Sequence, residues 1–482
     1  MIFNSFKFIV FFPLVCLIYF CIKKDKLKLI WLLLTSYYFY MCWNPLYSLL
    51  MLLSTFVTYI FSILMDKYKD KKKMFLILSL LINLSILFFF KYANFIIENI
   101  NCLLNFLKYD SLKTFDILLP VGISFYTFQA LSYSIDVYRG DVKVEKSFIK
   151  YALFVSFFPQ LVAGPIEKSK DFLKQFNLQH KFDYEQVKTG LLIMLGGFYL
   201  KLVIADRASI VVNNIYNSLN LYTGVILIIA TVLFAAQIYC DFYAYSLIAK
   251  GAAQVLGYKL SNNFDSPYLA TSIKDFWRRW HISLSSWFKE YLYFPLGGSK
   301  GSKFKTIRNI LVVFIISGLW HGAAWTFVIW GLLHAIYQIV GFLTFNLRNK
   351  ITKMLGLLKY PNIHKVIQVI ICFLLVNFAW IFFRANSVSD AFYIIKHIFD
   401  FSHLFKVSSL GLDVYNLILL VVAIISLIIY EIIKYKINIM KLILKQPLVI
   451  RWGIYFIIIY VILIFGIYGP GYDASQFIYF QF

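Results

Sequence analysis

His321 lies in the run Ser317-Gly318-Leu319-Trp320-His321-Gly322-Ala323-Ala324-Trp325, inside residues 309–347, which hold no Asp, Glu, Lys or Arg. An ionisable side chain in so apolar a stretch is costly to bury and marks a working site by default. Imidazole titrates near neutral pH, as a general base should. The glycines beside it let a helix break or another backbone come close. The plain alternative is a neutral ring hydrogen-bonded to a neighbouring helix. His281, directly after Trp280 in a basic segment, is a second candidate under the same two readings. On a continuous helix His334 would point roughly away from His321, and it reads as structural. His180, His364, His397 and His403 sit in polar or loop-like context and carry no assigned role. Asp241, in Gln237-Ile238-Tyr239-Cys240-Asp241-Phe242-Tyr243, is a further intramembrane oddity. It reads first as a polar contact to a basic residue elsewhere.

The segment 265–308 carries Lys274, Arg278, Arg279, Lys289, Lys300, Lys303, Lys305 and Arg308 against the acids Asp265, Asp275 and Glu290. Phe276, Trp280, Trp287 and Tyr291 recur at helical steps. An amphipathic helix or helix pair at a membrane surface is expected over 275–292, with Trp and Tyr at headgroup depth. One reading is an anchor against anionic lipid. The other is a mouth whose Arg and Lys receive the phosphates of a co-substrate. Pro295-Leu296-Gly297-Gly298-Ser299 is a turn without Walker spacing. There is no Gly-x-Ser-x-Gly elbow, no HExxH and no cluster with metal-ligand spacing. Such chemistry would need only a base, a path and an oriented acceptor.

The elements that must hold these residues are membrane helices. Hydrophobic residues make up 61% of the 482, charged residues 15% and aromatics 20%. Soluble domains are about 45–50% apolar and about 25% charged, so lipid must be the solvent for much of this surface. The net charge of +24 falls between apolar runs. That pattern suits cytoplasmic loops and anionic headgroups rather than nucleic acid. Cys16, Cys21, Cys42, Cys102, Cys240 and Cys372 show no paired spacing, and the five in apolar runs act as small hydrophobes. Residues 8–22 lack a following cleavage site and read as a retained first span.

Charge-free runs place two spans in 30–65, broken at Trp43-Asn44-Pro45, one in 74–90, one in 221–240, two in 309–347, and one each in 366–383, 414–430 and 452–468. Segments 118–138, 148–166 and 187–207 are mixed, as expected of buried or re-entrant pieces. The expectation is an all-α polytopic membrane protein of about eleven spans plus re-entrant or interfacial helices. The basic loops at 23–28, 66–73, 348–365 and 434–451 belong inside, with the N-terminus outside.

Several blocks of this text resemble the membrane-bound O-acyltransferase family, most of all its bacterial polysaccharide O-acetylation branch. They are Phe157-Phe158-Pro159-Gln160-Leu161-Val162-Ala163-Gly164-Pro165-Ile166, then PYLATSIKDFWRRWHISLSSWFKEYLYFPLGGS (267–299), SGLWHGAAWTFVIWGLLHA (317–335) and Phe378-Ala379-Trp380-Ile381-Phe382-Phe383-Arg384-Ala385. Phe12-Pro13 and the closing Phe477-Ile478-Tyr479-Phe480-Gln481-Phe482 fit too. The resemblance implies one transmembrane domain over 1–482, with its catalytic blocks at about 118–346, built as a ring of helices around a central tunnel. It implies acetyl-CoA as a co-substrate entering from the cytoplasm, no resident cofactor or metal, and residence in the plasma or inner membrane. It also implies an extracytoplasmic SGNH-type transferase as partner. His321 matches the family's catalytic histidine, and His281 its second polar residue on the cytoplasmic side. Arg278, Arg279, Trp280, Ser317, Trp320, Trp325 and Asp241 become the expected donor-binding or tunnel residues. Two departures stand out. Relatives often read DFSGYSD where this chain has Asp241-Phe242-Tyr243-Ala244-Tyr245-Ser246-Leu247, and often carry Arg where Glu167-Lys168 follows Gly164-Pro165-Ile166.

On these grounds His321 takes the proton of an acceptor hydroxyl as it attacks the donor thioester. A transient acyl group on the ring is an alternative within that scheme. D-alanyl transfer to teichoic acid from a carrier-protein thioester is the rival inside the family. A proton-coupled transporter using His321 and Asp241 is the rival outside it. Scarce intramembrane carboxylates and the lack of an internal repeat count against the transporter.

Overall fold

The computed structural model describes residues 1–162, 164–402, 407–469 and Phe477. Ala163, His403 and residues 478–482, which figured above, lie outside the described residues.

The described chain is helical. α1 (Phe6–Cys21), α2 (Asp25–Met41), α3 (Pro45–Lys67) and α4 (Lys72–Phe106) form the N-terminal group. The break expected at Trp43-Asn44-Pro45 is there. Asn44 accepts from Leu46 N at 2.9 Å, and Pro45 takes the first helical position, where its missing N–H costs nothing. α5 (Ile123–Arg139) and α6 (Phe148–Ser156) follow, then the short α7 (Ser169–Gln175). In α5, 14 of 17 residues are buried, so the mixed segment is an interior element. α8 (Tyr184–Tyr199) runs through a π-helical segment (Leu200–Ala205) into α9 (Asp206–Tyr216), and α10 (Val225–Val255) packs along both.

α11 (Ile273–Arg279) and α12 (Ile282–Phe288) are the expected pair in the basic segment. α13 (Lys303–His321) and α14 (Trp325–Leu343) are the two spans of the charge-free run. α15 (Phe345–Met354), α16 (Pro361–Arg384), α17 (Val388–His397), α18 (Val414–Lys434), α19 (Ile439–Leu444) and α20 (Leu448–Phe465) complete the order.

Among the described residues nine helices are long and apolar enough to cross a bilayer, against about eleven expected. The shortfall falls at α1 and α2, which at 16 and 17 residues stop short of that length. The protein is a multi-pass membrane protein, apolar outward and partly polar inward. α3 buries Ser48, Ser54, Thr55, Thr58 and Ser62. Thr55, Thr58 and Ser62 return their hydroxyls to carbonyls one turn back, at 2.7–2.8 Å. Small residues that satisfy their own hydroxyls let neighbouring helices approach closely. The outward Val421, Val422, Ile425, Ile428 and Ile429 of α18 are exposed, as suits a lipid-facing surface.

Basic helix ends gather at one end of the bundle. Lys72 at the start of α4 lies 5.6 Å from the Tyr138 ring near the end of α5. Arg139 lies 5.3 Å from the Tyr291 ring beyond α12. Lys434 at the end of α18 pairs with Asp265 at 3.5 Å.

Candidate active site at His321

α13 starts at this basic end, where Ser302 caps it by accepting from Lys305 N at 3.3 Å. It stops at His321 because Gly322 is extended (φ −159°), and a β-carbon there would lie 2.1 Å from the Phe327 ring. The glycine thus lets the chain turn back through Ala323-Ala324 into α14. This break defeats the continuous-helix argument made for His334. The His334 and His321 rings both flank Trp330, each with centroids 5.0 Å from it. Trp277 Nε1 donates to His334 Nδ1 at 3.2 Å.

α11 and α12 carry His281 inward. Ser272 caps α11, accepting from Asp275 N at 3.1 Å. Between the helices His281 adopts a left-handed conformation (φ 42°, ψ 57°), a turn that reverses the chain at some cost for a non-glycine residue. Asn263 holds it: Ile282 N donates to Asn263 O at 2.9 Å, and Ser283 Oγ donates to Asn263 Oδ1 at 2.6 Å. The imidazole is left 1% exposed. Its centroid lies 6.4 Å from that of His321, with Trp320 5.9 Å from one ring and 5.0 Å from the other. The aromatics of this pair face protein rather than headgroups. Trp280 is fully buried, Trp287 stacks on Phe128 at 3.8 Å, and Tyr291 donates to Asp136 Oδ1 at 2.8 Å. Helical periodicity gave the apolar stripe but not what it packs against.

The other expected site residues divide. Ser317 and Trp320 are buried on the last turns of α13. Arg279 pairs with Asp275 at 3.0 Å and covers the Tyr435 ring, whereas Arg278 is exposed beside it. Trp325 lies at the start of α14, exposed, with Nε1 donating to Asn99 Oδ1 at 2.8 Å. Asp241 is drawn into an ion cluster: Lys201 reaches Asp241 Oδ1 at 2.6 Å and Asp206 Oδ1 at 2.9 Å, all three buried. Two environments meet at His321. On one side is a small recess lined by Lys91, Leu119, Gly122, Ser124, Phe125 and Trp320 together with His321 itself. On the other, rings run from His321 to Trp330, Trp380 and Trp280 at centroid steps of 5.0, 5.9 and 5.1 Å. That succession joins the histidine to the basic α11. An imidazole between a small recess and an aromatic wall can accept a proton from a hydroxyl while water stays scarce. Among the described residues no group of His, Cys, Asp and Glu could hold a metal ion.

Sequence reasoning passed over Lys91, Tyr92 and Glu431. Each had been placed just beyond a charge-free run, yet each lies inside a longer helix. Tyr239 donates to Glu431 Oε1 at 2.8 Å.

A profile described as MBOAT, membrane-bound O-acyltransferase family, matches residues 143–383. Probable alginate O-acetylase AlgI of Pseudomonas aeruginosa is 35% identical over 427 residues, 87% of this chain and 80% of that protein. Peptidoglycan O-acetyltransferase of Helicobacter pylori is 34% identical over 429 residues, 82% of this chain and 79% of that protein. Teichoic acid D-alanyltransferase of Bacillus subtilis is 29% identical over 235 residues, 45% of this chain and 57% of that protein.

Proposed function

The chain belongs to the membrane-bound O-acyltransferase family and is an O-acyltransferase, and from that premise we propose that it moves acetyl groups from cytoplasmic acetyl-CoA across the membrane for O-acetylation of a cell-surface polysaccharide. The observation that carries this reading is the position of His321, which lines the recess and also begins the succession of rings leading to the basic α11. The donor's phosphates engage the cations at the basic end, Arg278 and Arg279 among them, and its pantetheine arm follows the aromatic wall. His321 removes the proton from a hydroxyl presented in the recess, the oxygen attacks the thioester carbon, and the CoA thiolate leaves. His281 and the Trp320 indole orient the donor beside it. The ester formed in the recess is the donor for an extracytoplasmic SGNH-type transferase, which passes its acetyl group to a polymer hydroxyl and frees the first hydroxyl, and the plasma or inner membrane is the location.

The choice of acetyl over D-alanyl rests on the relatives: those named for alginate and peptidoglycan O-acetylation match over four fifths of the chain, the D-alanyltransferase over less than half. The alginate and peptidoglycan names both support a polysaccharide acceptor.

A His321→Ala variant that inserts at wild-type level tests the assignment. Base-labile acetate on the cell-surface glycan is expected to fall by about 10²–10⁴-fold, the usual worth of a positioned base. Wild-type acetate release from that variant would remove His321 from the reaction. Supplying purified protein with acetyl-CoA or with a D-alanyl carrier thioester separates the two donors.

A further inference from the structure

α13 ends at His321, and the carbonyls of a helix's last turn have no partners within the helix. Here three consecutive ones are taken by two consecutive residues of α4. Tyr92 Oη donates to Leu319 O at 2.9 Å. Lys91 Nζ donates to Trp320 O at 2.6 Å and to His321 O at 3.1 Å, and reaches Ser124 Oγ at 3.4 Å. The three carbonyls lie 227–230 residues from their donors in sequence, so the contact belongs to the tertiary fold rather than to a local cap.

Lys91 is an expensive way to close a helix. It sits within α4, directly after the apolar run 74–90, where an ionisable group is costly. Among the described residues no carboxylate forms an ion pair with it. A hydroxyl or a water could satisfy the same carbonyls more cheaply. The Lys91 side chain also lines the recess that holds His321, and a second recess beside it.

We propose that Lys91 is a positioning residue for acyl transfer: with Tyr92 it clamps the last three carbonyls of α13 and thereby fixes where the His321 imidazole stands in the recess. A rotation of the last turn by a fraction of its pitch would carry the ring away from the hydroxyl. Displacement of about 1 Å at a reacting group can cost 10²-fold in rate. The proposal rests on the reading of His321 as the base and adds the residue that aims it.

The test uses the full chain in cell-envelope vesicles, which carry both the glycan and the extracytoplasmic transferase, with acetyl-CoA turnover followed by free thiol. Carbethoxylation of His321 by diethyl pyrocarbonate, read by mass spectrometry against His180 as internal reference, reports on the ring without requiring turnover. Lys91→Met is expected to lower kcat at least tenfold with KM for acetyl-CoA within twofold. It is also expected to change the His321 carbethoxylation rate at least threefold. Lys91→Arg, whose guanidinium can reach both carbonyls, should return both readouts to within threefold of wild type. An unchanged carbethoxylation rate in Lys91→Met would overturn the clamp, as would a change that Lys91→Arg does not restore. A His321→Ala protein with wild-type turnover would instead defeat the reading of His321 as base, and the clamp with it.

Discussion

A β-carbon built on Gly318 of α13 would lie 2.3 Å from the carbonyl oxygen of Phe327 on α14. The relation is mutual, since a β-carbon on Gly331 of α14 would lie 2.3 Å from Phe314 O of α13. The two helices therefore cross backbone to backbone, one turn before the imidazole. Gly318→Ala must push them apart. Overpacking of this kind costs about 1–3 kcal/mol, and the displaced His321 should lower acetyl transfer by roughly ten- to hundredfold. Gly341→Ala, farther along α14 with nothing within 4 Å of its β-carbon, should behave as wild type in the same assay. Equal activity of the two variants would show that the crossing does not place the histidine.

Part of this was legible in the sequence. The glycines flanking His321 announced both a helix break and a close approach, and Gly322 and Gly318 supply one each. The break at Asn44-Pro45 followed from a charge-free run long enough for two spans, and the α11–α12 pair from helical periodicity. What stayed hidden had a common cause. A charge-free window ends at the first ionisable residue, so Lys91 and Glu431 were read as span ends. α4 and α18 carry both inside, because Trp320 O and Tyr239 Oη, remote in sequence, receive them. The inward turn of His281 was equally invisible, since it depends on Asn263 and on a left-handed residue that no pattern marks.

His281 should separate backbone strain from chemistry. Asn tolerates the left-handed region better than most residues, so His281→Asn should insert and unfold like wild type. Without an imidazole 6.4 Å from His321, its acetyl transfer should fall about tenfold or more, within the range for a group assisting proton transfer or orientation. Full activity in His281→Asn would leave the second ring a packing role only.

Lys201 holds Asp206 and Asp241 together beside the π-helical segment, with all three side chains at most 3% exposed. Removing the cation leaves two carboxylates close together in a low-dielectric interior. Breaking a buried pair in this way costs on the order of 3–5 kcal/mol. Lys201→Met should therefore lose most folded protein in a detergent thermal-stability assay. Adding Asp241→Asn should recover part of the loss, because the two substitutions act on one interaction. Strictly additive losses would show that the cluster is not a unit.

Glu167, one of the departures from the family text, ties the turn before α7 to the strip leading into α11. Ser261 donates to its Oε1 from N at 2.6 Å and from Oγ at 2.9 Å. Burial nonetheless pushes its carboxyl up to about 7, the two Ser261 bonds opposing the rise. A carboxyl raised in the folded state binds its proton more tightly there than in the unfolded chain. Its contribution to stability is therefore complete below about pH 4.5, the unfolded value, and is lost as pH rises to about 7. The lost contribution is roughly 3 kcal/mol at 1.36 kcal/mol per pH unit. Glu167→Gln keeps an acceptor for Ser261 and cannot titrate. The wild type should lose thermal stability relative to Glu167→Gln between pH 4.5 and 7, and the gap should hold constant above pH 8. A gap that stays level from pH 4.5 to 7 would mean the carboxyl is ionised in the folded protein and is stabilised by more than Ser261.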